Sequence, residues 1–238
     1  MFVPQGQQSF RNSKADVKIF YGSGTTQTNT YAQSWIKPVG ASHVYMLLIG
    51  GGGAGDGSTS AGGSGSTSVW YGAAQHVPNA LIVTPAPVGK LGTNGGASLI
   101  SYRTGASSYT LIQTGGGSLL GGLAIAANAF SSTGFYQSVA GQDGQIPGNP
   151  AITGSATTFL GGGGYYAVAS NYGYGSTDGT FIGPTNGFFM LQPIIVGLGG
   201  CTSASTTVLA GIGCGGGYGS VGGLGSPGGQ GLILIASW

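Results

Sequence analysis

The chain has 238 residues, of which 53 are glycine and only 4% are charged, against about 25% charged residues in a typical soluble domain. Its net charge of +2 is too small for nucleic-acid binding, which depends on many Lys and Arg contacts to phosphates. Because 40% of the residues are apolar, the composition also excludes a disordered, highly charged polymer.

The N-terminal segment MFVPQGQQSF has neither the basic nor the apolar region of a signal peptide, so we predict none. Four of the ten charged residues, Arg11, Lys14, Asp16 and Lys18, fall within eight positions. We therefore predict that residues 1–30 form an arm that attaches the chain to another component. The contact candidates in this arm are Phe10, Arg11, Lys14 and Lys18; a disordered tail is the alternative.

Short runs rich in Val, Ile, Leu, Thr and Tyr, bounded by Gly, Pro and Asn, predict β-strands along the chain. These runs cover 17–22, 30–37, 42–50, 80–85, 97–103, 108–114, 164–170, 188–197 and 231–238. The segment LISYRTGASSYTLIQ (99–113) predicts a hairpin. Two runs, VYMLLI (44–49) and LILIA (232–236), are apolar on both faces, so we expect them to be central neighbours in one sheet. No apolar run approaches the length of a membrane span.

The segment GIGCGGGYGSVGGLGSPGGQG (211–231) keeps glycine at every third position. The glycines in register are Gly213, Gly216, Gly219, Gly222, Gly225, Gly228 and Gly231. A polyproline II helix has three residues per turn, so this period predicts a face without side chains that packs on another backbone. Collagen is disfavoured because Pro227 is the only proline of the segment, and a flexible linker remains the alternative. The predicted fold is all-β, with an antiparallel sandwich-like core and glycine-rich loops, some as polyproline II helices.

Residues that carry catalysis or bind metals are scarce. The only acidic residues are Asp16, Asp56, Asp143 and Asp178, all in N-terminal or loop positions, and the chain has two His and two Cys. A pair of catalytic carboxylates, a zinc site and a cofactor site are therefore not expected, and we predict no enzyme activity. For Cys201 and Cys214 the sequence leaves open both a disulfide and two small buried residues.

Aromatic residues cluster among Gly, Ser and Asn between positions 165 and 189. Tyrosine in such surroundings is typical of antibody paratopes, which combine rigid contact area with adaptable polar groups. We predict a receptor-contact surface here; packing of these rings between subunits or over glycine segments is the alternative. The candidates for receptor contact are Tyr165, Tyr166, Tyr172, Tyr174, Phe188 and Phe189.

Two stretches carry a family resemblance. YAQSWIKPVGASHVYMLLIGGGGAGDG (31–57) resembles the start of the glycine-rich domain of phage tail-fibre and other virion surface proteins, in which a W-x-x-P-x-G segment leads into an apolar strand and a glycine run. GGLGSPGGQGLILIASW (222–238) is similar to the closing signature of that domain. The middle element, 81–102, resembles it less, because Pro85 and Pro87 interrupt it.

The resemblance implies a glycine-rich β domain over residues 31–238 and a homotrimeric protein exposed on a virion. A virion protein is made in the host cytoplasm, which agrees with the missing signal peptide. We expect a fibre, spike or host-adhesion component whose arm contacts other virion proteins and whose surface contacts a host glycan or outer-membrane protein. The alternatives are a capsid or tail decoration protein that binds no receptor, and an extracellular matrix or ice-binding protein.

Overall fold

The structure of the chain is a computed structural model that describes residues 15–22, 32–55, 61–89, 93–118, 122–141, 179–181, 194–197, 201–202, 207–208, 210–216, 225 and 227–238. Within these residues β-strands dominate, and the helices are single 3-10 turns, η1 (Ala74–His76) and η2 (Ser131–Thr133). The predicted all-β class is confirmed. None of the described helices has the length and apolar character needed to cross a membrane.

The strands of the described part follow in chain order. They are β1 (Asp16–Tyr21), β2 (Gln33–Ile36), β3 (His43–Ile49), β4 (Thr67–Ala73), β5 (Ala80–Thr84), β6 (Leu99–Thr104), β7 (Ser107–Gln113), β8 (Phe135–Val139), β9 (Gly179–Phe181), β10 (Ile194–Gly197), β11 (Cys201–Thr202), β12 (Thr207–Val208) and β13 (Leu232–Ser237). Strands β9 and β10 pair with each other, as do β11 and β12.

The first sheet contains five antiparallel strands in the order β1-β13-β3-β4-β8. Strands β13 and β3 pair from Leu232, opposite Ile49, to Ser237, opposite Val44. Every residue of β13 is buried, and so is every residue of β3 after His43. The prediction that these two doubly apolar strands are central neighbours is therefore confirmed.

The second sheet contains four antiparallel strands in the order β2-β5-β6-β7. The predicted hairpin is confirmed as β6 and β7, whose turn contains Gly105 with a φ of +61°. A glycine suits that turn because other residues rarely adopt a positive φ. The register of the hairpin shifts between Ile100 and Ser101, which marks a β-bulge.

The two sheets pack face to face around one apolar core. The first sheet contributes Met46, Leu48, Trp70, Ile233 and Ile235 to it, and the second contributes Trp35, Leu81, Val83, Ile100 and Ile112. Since these side chains alternate along their strands with residues of the other face, each strand presents one row to this core. The predicted sandwich-like core is thus present.

The other face of the first sheet is buried as well. Its apolar residues include Tyr45, Leu47, Val69 and Leu234. Cys214, from the glycine-rich segment that precedes β13, belongs to the same cluster. Burial on both faces explains why β3 and β13 are continuously apolar rather than alternating.

Two strands of the first sheet are missing from the sequence prediction. Strand β4 lies beside β3 and β8 lies at the edge. The prediction missed β4 because glycine and serine surround it, although the run Val69-Trp70-Tyr71 has β-forming side chains. The predicted arm also needs a correction: residues 16–21 form β1, which pairs with β13, so the β domain begins before residue 31.

The glycine-rich segments meet at one end of the sandwich, outside any helix or strand. Their backbone N–H and C=O groups bond across segments: Gly51 N donates to Gly96 O at 3.0 Å, and Gly52 N donates to Gly229 O at 2.8 Å. Gly216 N likewise donates to Gly53 O at 2.8 Å. We call residues 50–55, 61–66, 93–96, 115–118, 211–216 and 227–231 the glycine bundle. The polyproline II conformation of its segments stays a prediction.

Candidate functional site

The strand directions give the sandwich two chemically different ends. At one end, β3 leads into the glycine bundle and β4 and β13 leave it. At the other end lie residues 36–43, η1, the hairpin turn 104–107, Phe135 and Trp238, which we call the distal end. Lys37 ties the two sheets together there, because its Nζ donates to Ala74 O at 2.9 Å and to Val77 O at 2.7 Å. Loops at one end of a rigid sandwich are a common place for binding residues.

The two sheets are joined next to the glycine bundle through the buried hydroxyl of Ser98. Its Oγ donates to Ile49 O at 2.7 Å and accepts from Ala86 N at 2.9 Å. Gly231 lies against the same group and donates its N–H to Ala86 O at 2.9 Å. A Cβ on Gly231 would stand 2.5 Å from both Ile49 O and Ser98 Oγ, closer than real Cβ atoms come. This position therefore requires the absence of a side chain.

The other predicted packing glycines differ in their surroundings. Gly228 lies against the Gly52 carbonyl so closely that a Cβ would overlap it. Gly216 is bonded on both sides, to Gly53 and Gly62. Gly213 has a φ of +69° and belongs to a turn, so its backbone conformation also selects glycine. Gly225 is buried, and Gly219 and Gly222 lie outside the described residues.

Three rings lie close together on the outer face of the first sheet at the distal end. The centroid distances are 5.6 Å for His43 and Tyr71, 6.1 Å for His43 and Trp238, and 6.0 Å for Tyr71 and Trp238. The interplanar angles are 10–18°. Three parallel rings at nearly equal mutual distances cannot form one linear stack, so they form a small aromatic surface. All three residues are half-buried.

Backbone hydrogen bonds hold this aromatic surface in place. Trp238 O accepts from His43 N at 3.0 Å and from the Ser42 hydroxyl at 3.0 Å, and Trp238 N donates to His43 O at 3.2 Å. The Ser42 hydroxyl also lies 3.0 Å from His43 Nδ1. These bonds fix the backbone and one ring nitrogen. The surface is thus preorganised, which lowers the entropy cost of binding a flat ligand.

Exposed apolar side chains add to the distal end. The exposed fraction is 49–105% for four of them, Ile36, Val39, Tyr109 and Phe135. Tyr109 stacks on Tyr102 across the hairpin, with 5.4 Å between the ring centroids. Exposed aromatic and aliphatic groups in one region are typical of surfaces that contact other molecules.

Most of the predicted site residues lie outside the described residues. These are Phe10, Arg11, Lys14 and all six candidates for receptor contact, Tyr165, Tyr166, Tyr172, Tyr174, Phe188 and Phe189. Lys18 is described: it lies on β1, is exposed, and its Nζ is 3.4 Å from Asp16 Oδ1. The sequence prediction did not single out the ring cluster at the distal end, although Tyr71 and Trp238 end apolar runs.

Several titratable groups lie in the described part of the chain. No three His, Cys, Asp or Glu residues come together there as a metal site would require. Burial raises the pKa of the Tyr45 phenol well above its usual value, since the charged form would lose its hydration. Cys214 is buried and its thiol donates to Ile212 O at 3.6 Å, while the Cys201 side chain is outside the described residues.

Comparison with known proteins leaves the chain without an assigned relative. No protein-family model matches the sequence, and no curated protein sequence matches it either.

Proposed function

We propose that this chain is a structural protein of a virion surface, serving as a fibre, spike or host-adhesion component of a bacteriophage-like particle. The observation that carries the proposal is the glycine bundle, in which the backbones of Gly52, Gly228 and Gly231 approach so closely that no side chain fits. Such a bundle gives a rigid base that needs no charges. The resemblance of residues 31–57 and 222–238 to the glycine-rich domain of tail-fibre proteins supports the same conclusion.

The distal end gives this scaffold a surface for contact. That end carries Ile36, Val39 and Tyr109 in exposed positions, and the first sheet adds the His43–Tyr71–Trp238 cluster there. An aromatic and apolar end on a rigid sandwich suits a protein that contacts a host surface. Contact with a host glycan or outer-membrane protein is part of the proposal, as are the predicted homotrimer and the attachment role of residues 1–14.

Labelling of intact particles tests the virion location. Antibodies raised against the purified chain should label the outside of particles in electron micrographs, and the chain should copurify with those particles at a fixed stoichiometry. A chain that separates from the particles completely contradicts both the adhesion proposal and its alternative, a decoration protein.

Cell binding then separates adhesion from decoration. The purified chain should bind host cells, and Tyr→Ser changes at 165, 166, 172 and 174 should reduce binding at least tenfold. Tyr109→Ser tests the distal end in the same assay. The matched control is Leu123→Ser, which removes an exposed apolar side chain outside the distal end. Particles that carry the chain while the purified chain binds no host cell support a decoration protein instead.

A further inference from the structure

Strand β1 is an open edge of the first sheet with an apolar outer row. Val17, Ile19 and Tyr21 are exposed by 41–51%. Their cross-strand partners on β13 are Ala236, Leu234 and Leu232, all buried. The row therefore extends the outer face of the sheet as far as β1. Among the described strands, β1 pairs only with β13 and forms the edge of the sheet. Natural proteins usually protect such edges because they pair readily with another strand.

The hydrogen-bond pattern shows which backbone groups of β1 point away from β13. His43 and Trp238 exchange both backbone bonds, so alternation directs Leu232, Leu234 and Ala236 of β13 toward β3. The alternate residues of β13 bond to β1 instead. The same alternation holds just outside the strands, where Gly22 N donates to Gly231 O at 3.0 Å. The outward N–H and C=O groups of β1 consequently belong to Val17, Ile19 and Tyr21, the same residues that form the apolar row.

We propose that two copies of this chain associate through β1, antiparallel, with a two-fold axis at Ile19. In this register Val17 faces Tyr21 of the second copy and Ile19 faces its own equivalent. Each of these three facing pairs uses outward backbone groups and forms two hydrogen bonds, as hydrogen-bonded pairs do in antiparallel sheets. The two apolar rows become one, and the five-stranded sheets join into a single continuous sheet.

Charge and length select this register over its neighbours. An axis at Lys18 would place two ammonium groups opposite each other, which is unfavourable across strands. An axis at Val17 would leave Tyr21 beyond the paired segment. With the axis at Ile19, Lys18 faces Phe20 and Asp16 faces Gly22, so no like charges meet and the whole of β1 is paired.

Sedimentation and light scattering of the purified chain test the association, and they do so independently of the proposed virion function. The wild-type chain should have an even number of copies, either two or, if the expected trimers also form, six. Ile19→Arg should halve the mass across a concentration series, because it places two charges at the axis. Val39→Arg, a change at a fully exposed residue away from β1, should leave the mass unchanged.

Cysteine cross-linking tests the register. Ile19→Cys should form a disulfide between copies under mild oxidation, since facing Cα atoms in a hydrogen-bonded pair are about 5.5 Å apart and a disulfide spans about 4.4–6.8 Å. Lys18→Cys, at a position whose side chain is also exposed, should not cross-link, whereas a mixture of Val17→Cys and Tyr21→Cys chains should. Peptide mapping distinguishes these bonds from any that involve Cys201 or Cys214. A monomeric wild type, an unchanged mass for Ile19→Arg, or cross-linking at Lys18 rather than Ile19 would overturn the proposal.

Discussion

Gly231→Ala is the substitution that most directly tests whether the glycine bundle is a packed structure. The φ angle of Gly231 is not positive, so alanine suits the backbone. In a slack segment, this change would stabilise the protein by about 0.4–1 kcal/mol, because alanine restricts the unfolded chain. The packed structure predicts the opposite sign.

The size of the loss follows from the neighbours of Gly231. The new methyl group would stand 2.5 Å from Ser98 Oγ and from Ile49 O, and 2.8 Å from Ala86 Cβ. Relieving this overlap costs about 1–3 kcal/mol as overpacking. It also displaces the Ser98 hydroxyl, and each buried group left without its bond costs about 1–3 kcal/mol. After the unfolded-state gain is subtracted, we expect a net loss of about 4 kcal/mol.

Thermal and urea unfolding measure this loss. For a chain of this length, a loss of about 4 kcal/mol lowers Tm by about 8–16 °C. The control is Gly105→Ala at the hairpin turn, where a Cβ meets nothing within 4 Å but φ is +61°; it should cost about 1–2 kcal/mol through backbone strain alone. A Gly231→Ala protein that is as stable as the wild type, or more so, would refute the close packing of the bundle.

Three further changes probe other parts of the fold. Above about pH 10 the free energy of unfolding should fall by about 1.4 kcal/mol per pH unit, because Tyr45 stays protonated in the folded protein and ionises in the unfolded chain. Tyr45→Phe should remove this contribution when urea unfolding is measured at several pH values. Ser98→Ala should cost about 2–4 kcal/mol in the same unfolding assay, since two buried backbone groups lose their partner. Lys37→Met should cost about 1–2 kcal/mol and speed amide exchange in η1, because the methionine keeps the apolar stem but cannot bond to Ala74 and Val77.

Matched variants control for non-specific effects. Tyr109→Phe removes an exposed phenol and is the control variant for Tyr45→Phe. Ser132→Ala removes an exposed hydroxyl and should change stability by less than about 0.5 kcal/mol. An alkaline slope that persists in Tyr45→Phe would show that other groups cause it. Equal losses in Ser98→Ala and Ser132→Ala would contradict the linking role of the buried hydroxyl.

The sequence predicts most strands of the two sheets but misses β4 and β8. Strands β3 and β13 could be paired from the sequence because residues 44–49 and 232–236 are apolar on both faces, a property that only central strands need. The hairpin 99–113 was also predictable, because two alternating runs flank a short turn with Gly105. Strand β4 was missed because glycine and serine surround it, although Val69, Trp70 and Tyr71 favour an extended chain.

The candidate site was predictable only in part. The period of three at 211–231 indicated close backbone contacts, but it could not identify the partners of each glycine, which come from segments far away in the sequence. The distal ring cluster depends on the register that brings Trp238 beside His43, and no local pattern reports a register between distant strands. The apolar row of β1 was missed for a similar reason: the run 17–22 predicts a strand, but no local pattern shows that this strand pairs with β13 at an edge of the sheet.

The position of β13 between β1 and β3 has a consequence for synthesis on the ribosome. Strand β3 is translated early, but the neighbour that covers one of its edges emerges only when residues 232–237 have been made. Until then a long apolar strand lacks that neighbour, and contacts between such distant segments form slowly. The nascent chain should therefore need a chaperone or fast completion, and fragments that stop before residue 232 should aggregate rather than fold.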